Sequence, residues 1–158
     1  MKKFEVNQIG MIKQVGDEFY IEVEREFLPA LKELDSFSHI NVLCWFDKSD
    51  FEEARTVLEV PSPYQGSPEI MGIFATRSPI RPNPIALTTV QLLSIDYETG
   101  RLAIAYIDAD DGTPVLDLKP YTPSLDRVEE PKVPAWCAHW PKSLEESENF
   151  NWEKVFTF

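Results

Sequence analysis

Hydrophobic positions in this chain mostly alternate with polar ones, the pattern of strands that bury one face. Residues 4–15 and 19–23 alternate in this way on either side of Gly16 and Asp17, which predicts a β-hairpin. The almost continuous apolar run at residues 38–46 predicts a strand covered on both faces. Shorter strands are predicted at residues 55–60, 70–75, 87–95, 101–107 and 115–118.

Helical spacing is confined to two short stretches. Leu28, Leu31 and Leu34 predict one or two helical turns, and Ser49 followed by Glu52 predicts a short capped helix over residues 49–54. Short strands separated by turns, with so little helix, predict an all-β fold, either a sandwich or a barrel.

The last part of the chain has a different texture. Residues 129–158 combine prolines with Trp136, Trp140 and Trp152, so they favour neither a regular element nor disorder. We expect a main domain at residues 1–128 and a C-terminal extension at residues 129–158 that packs on it or on a partner subunit.

Length and charge narrow the classes of function. The chain has 158 residues, enough for one hydrophobic core. Its formal net charge of −12 is unfavourable for broad electrostatic binding of nucleic acid. Two cysteines form no disulfide framework, and Cys44 lies in an apolar run as a core residue. We expect a cytoplasmic protein without a signal peptide, a membrane span or a metal site.

One loop carries the candidate chemistry. Pro79, Pro82 and Pro84 stiffen the connection between two predicted strands, and Arg77 and Arg81 stand on it. Arginine presents a planar fork of donors that suits carboxylate or phosphate, so the loop predicts a site for an anionic group. The alternative is a plain connection whose arginines pair with surface carboxylates.

Three segments together carry a family resemblance: residues 37–46, residues 72–88 and residues 111–121. The second contains the unusual run Thr-Arg-Ser-Pro-Ile-Arg-Pro-Asn-Pro-Ile-Ala-Leu-Thr, and the third opens with Asp-Gly-Thr-Pro. Over residues 4–128 the chain resembles the TsaA-like family, whose best-understood members are TrmO-type tRNA methyltransferases.

The resemblance implies a single small β-barrel that uses S-adenosylmethionine to methylate N6 of threonylcarbamoyladenosine at tRNA position 37, beside the anticodon. It also implies a homodimer with the cofactor site near the subunit interface. The cofactor contacts that it implies are Arg77, Leu87, Asp111, Gly112, Thr113 and Pro114. Arg81 and Asn83 are assigned to the acceptor.

The sequence departs from the family pattern in three places. A histidine often follows the aromatic pair of the first segment, where this chain has Asp47 and then Lys48. A Pro-Arg-Gln element after the first strand and the further C-terminal domain of longer members have no counterpart here.

The weakly nucleophilic acceptor nitrogen would be helped by a base, and Asp47, Asp110 and Asp117 are unranked candidates. Two other functions stay open: a methyltransferase of the same barrel with a small-molecule acceptor, and a non-catalytic module that binds S-adenosylmethionine.

Overall fold

The computed structural model describes residues 2–158 and confirms the predicted all-β fold as a closed six-stranded barrel. Around the barrel the first, second, seventh, sixth, third and eighth strands follow one another, each antiparallel to its neighbours. The fourth and fifth strands form a separate two-stranded sheet. The strands are β1 (Gly10–Val15), β2 (Glu18–Val23), β3 (His39–Trp45), β4 (Glu59–Pro61), β5 (Ile70–Gly72), β6 (Ile85–Asp96), β7 (Arg101–Ile104) and β8 (Pro114–Pro120).

The predicted N-terminal hairpin is confirmed, with β1 and β2 joined through Gly16 and Asp17. Gly16 has φ +62°, a left-handed conformation that glycine adopts without a steric penalty. The first strand begins at Gly10 rather than at residue 4, because β2 ends at Val23, the partner of Gly10. The Ile9 amide still donates to the carbonyl of Val115 and its carbonyl accepts from the amide of Glu24, but residues 2–8 form no strand, and Phe4 is 80% exposed.

Side chains that alternate along the barrel strands fill its interior. On β3, Ile40, Val42 and Cys44 point inward and are almost fully buried. Burial raises the pKa of the Cys44 thiol to about 12, so this cysteine is a core residue as predicted. Asn41 on the opposite face is covered by α2 (Pro123–Asp126), where its amide donates a 2.9 Å hydrogen bond to Asp126.

The short helical segments differ in detail from the predictions. The leucine spacing forms a 3-10 helix, Arg25–Leu31, with Leu31 in the core. The capped helix predicted at Ser49 is wrong: α1 spans Glu52–Arg55 and has no side-chain cap. Ser49 instead ends a 3-10 turn in which its amide donates to the carbonyl of Phe46.

Three predicted strands are shorter than their apolar patterns. Residues 55–60 contribute only β4, because Arg55 still belongs to α1. Residues 70–75 form β5 and then the 3-10 turn Ile73–Ala75, and β7 ends at Ile104 instead of residue 107.

The C-terminal residues lie against the loop that joins β4 to β5. Tyr64 in that loop stacks on Trp136, with ring centroids 5.4 Å apart, and meets the edge of Trp140. Phe156 forms an isolated bridge with Tyr64, and a single helical turn, α3 (Leu144–Ser147), lies between these contacts. Within residues 2–158 no helix is long and apolar enough to cross a membrane.

Candidate functional site

One end of the barrel gathers most of the predicted site residues. There β3 ends between the starts of β6 and β8, since Cys44 pairs with Ala86 on one side and Val115 on the other. Neighbouring strands lie about 4.8 Å apart, so the starts of β6 and β8 are about 10 Å from each other. Leu87 and the turn at residues 111–114 therefore flank the same end of β3.

The two arginines of the proline loop are both held by backbone carbonyl groups. Arg77 donates a 3.0 Å hydrogen bond from Nη1 to the carbonyl of Leu87, which ties two predicted cofactor contacts together. Arg81 donates to the carbonyl of Thr76 at 3.4 Å and stands 5.9 Å from the ring centre of Phe74. Within residues 2–158 neither arginine forms an ion pair, so their remaining donors are available to a ligand.

The acidic turn is fastened to β1 by several hydrogen bonds. Asp111 accepts from the amide of Gln14 at 2.9 Å, and Gly112 donates from its amide to Ile12 at 2.8 Å. Thr113 is buried, with 4% of its surface exposed. Gly112 has φ +84°, and a Cβ built on it would meet no atom within 4 Å. The turn thus presents a fixed, bare stretch of backbone to an open space.

Lys48 brings two of the three candidate bases together. Its ammonium group is 2.9 Å from a carboxylate oxygen of Asp110. The hydrogen bond with Asp110 raises the pKa of Lys48, and the charges of Asp47 and Asp111 act in the same direction. Asp47, Asp110 and Asp111 therefore all lie close enough to Lys48 for their charges to act on it. The Asp47 side chain has no hydrogen bond or ion pair with any residue that the structure describes.

The remaining predicted residues lie somewhat apart. Asp117 sits in the middle of β8 opposite Leu43, and its carboxylate is 2.7 Å from the ammonium group of Lys119. It is therefore outside the group around Lys48. Asn83 is exposed in the proline loop, and its carbonyl accepts from the amide of Ile85 at 2.7 Å.

A supporting cluster behind the proline loop was missed by the sequence analysis. Arg55 of α1 donates to the carbonyl of Pro82 at 3.3 Å and to the carboxylate of Asp50 at 2.9 Å. Its guanidinium stands 5.4 Å from the ring of Trp45, whose Nε1 donates to the same carboxylate. The hydrogen bond from Arg55 lowers the pKa of Asp50. Only the spacing Asp50 to Arg55 hints at this cluster.

A groove of about 740 Å³, which we call the tail groove, opens beside Arg77. One wall is formed by Ile70–Arg77 and the other by the C-terminal residues 133–140. Its aromatic lining residues are Tyr64, Phe74, Trp136 and Trp140. Among residues 2–158, no group of three or more His, Cys, Asp or Glu side chains is arranged to hold a metal ion.

Comparison with known proteins places this site in a family context. The family model described as the tRNA-methyltransferase O N-terminal domain matches residues 7–127. An S-adenosyl-L-methionine-binding protein of Archaeoglobus fulgidus is 41% identical over 110 residues, which are 70% of this chain and 73% of the relative. A probable S-adenosyl-L-methionine-binding protein of Pyrococcus horikoshii is 40% identical, with 80% of this chain and 89% of the relative covered.

Longer relatives are matched over part of their length. The tRNA (adenine(37)-N6)-methyltransferase of Escherichia coli is 35% identical over 80% of this chain and 54% of its own. The crystal structure of TrmO from Pseudomonas aeruginosa superposes with a TM-score of 0.63 and 30% identity, covering 83% of this chain and 62% of that one. Residues 128–158 lie outside the family model. The chain belongs to the family defined by the tRNA-methyltransferase O N-terminal domain.

Proposed function

We propose that this protein is an S-adenosylmethionine-dependent methyltransferase whose acceptor is N6 of the threonylcarbamoyl-modified adenosine at tRNA position 37. The observation that supports this proposal is that Arg77, Leu87 and the turn at residues 111–114 lie at the same end of a barrel of the tRNA-methyltransferase O family. Relatives named as S-adenosylmethionine-binding proteins and as a tRNA adenine methyltransferase support the choice of cofactor and acceptor.

The residues at this barrel end fit the chemical groups of the cofactor. Arg77 keeps donors beyond the one used by Leu87, and a guanidinium pairs well with the carboxylate of the methionine portion. The bare backbone at Gly112 allows an adenosyl group to approach closely. Asp111 has a second carboxylate oxygen for a ribose hydroxyl or the amino group, since one oxygen already accepts from Gln14.

When bound, the cofactor supplies an electrophilic methyl group on a sulfonium centre. Transfer of the methyl group to the acceptor nitrogen leaves the sulfur as a neutral thioether. The protein contributes by holding donor and acceptor in line and by keeping water out. The acceptor nitrogen must also lose its proton. We assign that proton to Asp47, because Asp110 and Asp117 are already paired with Lys48 and Lys119.

We assign the acceptor's anionic group, its threonyl carboxylate or a phosphate, to Arg81 and the neighbouring Asn83. Arg81 lies four residues from Arg77 and makes no ion pair in the part of the chain that the structure describes. A small-molecule acceptor remains the second candidate, and the formal net charge of −12 is the observation that favours it. A non-catalytic module that binds the cofactor is the third.

Calorimetric titration of S-adenosylmethionine into three proteins tests the cofactor assignment. The wild type should bind with saturation, and Arg77→Ala should bind at least about tenfold more weakly, because a charge-assisted hydrogen bond contributes roughly 1.5–3 kcal/mol. Arg101→Ala is the matched control, because Arg101 is exposed at the start of β7, opposite the far end of β6. Its affinity should equal that of the wild type.

A methyl-transfer assay with the wild type and with Asp47→Asn then identifies the acceptor and tests the assigned base. With methyl-labelled cofactor, label should enter tRNA from cells that make the threonylcarbamoyl modification and not tRNA from cells that lack it. Asp47→Asn should keep cofactor affinity and lose turnover. Label in small molecules alone would select the second candidate, binding without any transfer the third, and absence of cofactor binding would reject all three.

We also propose a homodimer whose interface lies beside the cofactor site. Ile85 and Leu87 on the outer face of β6 are 43% and 51% exposed, and exposed apolar residues grouped on one face are typical of interaction surfaces.

A further inference from the structure

We propose that the tail groove receives an unpaired nucleobase of the RNA acceptor strand, with the adjoining phosphate held by Arg81. The proposal rests on the proposed function and adds to it a binding site that combines residues 64–77 of the matched family domain with residues 133–140 outside it. It assigns a role to the C-terminal extension, which otherwise only packs against a loop.

The walls of the groove offer flat aromatic surfaces. Tyr64 and Trp136 stack with an interplanar angle of 11°, and Trp140 packs edge-on against both. Phe74 on the opposite wall is 76% exposed, which is unusual for a residue of its size beside an apolar groove. Unpaired bases of single-stranded RNA are bound by stacking on such rings.

Charge at the groove selects an anionic ligand. The chain has 27 acidic and 15 basic residues, and Lys48, Arg55, Arg101 and Lys119 are occupied by carboxylates. Arg77 lines the groove and Arg81 stands over Phe74, and neither has a carboxylate partner in the described part of the chain. Because Arg77 is assigned to the carboxylate of the cofactor, Arg81 beside the ring of Phe74 is the arginine left for the phosphate of a base bound in the groove.

Position distinguishes the groove from the cofactor site. Of the predicted cofactor contacts, only Arg77 lines the groove, whereas Leu87 and the turn at residues 111–114 do not. A ligand in the groove would therefore meet the cofactor only at Arg77. An RNA strand that places its target base at the cofactor can thus place another base in the groove.

The test uses fluorescence anisotropy to measure the binding of a labelled single-stranded oligoadenylate of about seven nucleotides. Calorimetry measures the affinity of the same proteins for S-adenosylmethionine. Phe74→Ala should weaken oligonucleotide binding about tenfold, the effect typical of losing one stacked base. Phe4→Ala is the matched control, because Phe4 is equally exposed at 80% and lies far along the chain from the groove. Trp136→Leu tests the other wall, with circular dichroism as the check on folding.

Salt dependence gives a second readout. Arg81→Gln should reduce the slope of log affinity against log salt by about 0.7, the value for one phosphate contact on a single strand. An abasic strand of the same length should bind the wild type and Phe74→Ala equally, because it has phosphates without bases.

The proposal is supported only if Phe74→Ala weakens oligoadenylate binding while cofactor affinity stays unchanged. Equal weakening of both would assign the groove to the cofactor instead, and no effect of Phe74→Ala or folded Trp136→Leu on oligoadenylate would overturn the proposal. Failure of the proposed function is recognised separately, as wild-type protein that binds oligoadenylate but neither binds nor uses the cofactor.

Discussion

Gly112 shows how a single residue can serve both conformation and binding. Its φ of +84° lies in the left-handed region, where a side chain costs roughly 1–2 kcal/mol. No atom lies within 4 Å of the position that a Cβ would take, so alanine would be strained by the backbone and not by a clash. That open space is where we propose that the adenosyl group lies.

We predict that Gly112→Ala lowers the melting temperature by about 2–8 °C and weakens S-adenosylmethionine binding by more than tenfold. Gly16→Ala is the matched control, because Gly16 also has a positive φ, +62°, and open space at its Cβ position. It should show a similar loss of melting temperature with no change in cofactor affinity. If the two variants lose affinity equally, the acidic turn does not contact the cofactor.

At the scale of elements, the proline loop is held in place by α1 and β3. Arg55 links the loop carbonyl at Pro82 to the Asp50 carboxylate, which also accepts from Trp45. The hydrogen bond from Arg55 lowers the pKa of Asp50 in the folded protein. A lowered carboxyl pKa stabilises the fold above the ordinary pKa of aspartate, and that contribution disappears as pH falls through the folded pKa.

We predict that Asp50→Asn lowers the melting temperature by about 2–4 °C at pH 7, for a partly exposed pair contributing roughly 1 kcal/mol. The difference from the wild type should shrink as pH falls from 5 to 3. Cofactor affinity should also fall several-fold, because the loop that carries Arg77 loses its anchor.

Asp96→Asn provides the control for this prediction. The pKa of Asp96 is lowered by the hydrogen bond from Thr99, in the turn at the far end of β6. It should reproduce the pH dependence of stability and leave cofactor affinity unchanged. If the difference in melting temperature between Asp50→Asn and the wild type grew as pH falls, the stabilising interaction of the Asp50 carboxylate with Arg55 would be contradicted.

The secondary-structure elements could be predicted where hydrophobic periodicity determines them, and could not be predicted where pairing with another segment of the chain determines them. Alternation placed β2 correctly, and the almost continuous apolar run at residues 38–46 placed β3, in which Ile40 and Val42 face the core. The same alternation continues before Gly10, yet residues 2–8 form no strand, since the pairing of β1 with β2 ends at Gly10 and Val23. Ser49 resembles a helix cap, but its amide already closes a turn on Phe46.

The site was predictable only as a set of motifs. The resemblance named Arg77 and Leu87 ten positions apart, and the structure joins them by one hydrogen bond. No pattern along the chain could show that Lys48 would reach Asp110, sixty-two residues later, or that Arg55 would support the proline loop. Such contacts depend on how the barrel closes, which hydrophobic periodicity does not specify.

At the scale of the whole molecule, we place the proposed dimer interface on the outer face of β6. Ile85 and Leu87 are exposed there, whereas Val90 and Leu92 on the same strand face the core. Because Arg77 binds the carbonyl of Leu87, a partner subunit seated on this face would border the cofactor site. Dimerisation would then bury apolar surface that the monomer leaves in water.

We predict that light scattering coupled to size-exclusion chromatography gives twice the mass of the 158-residue chain at micromolar concentration. Ile85→Glu should shift the protein to monomer, with a dimer dissociation constant raised at least about a hundredfold, because the dimer would bury an unpaired charge. Leu125→Glu is the control, since Leu125 is 87% exposed on α2 and its variant should remain dimeric. A wild type that is monomeric throughout would reject this interface, and a dimer indifferent to Ile85→Glu would move it to another face of the barrel.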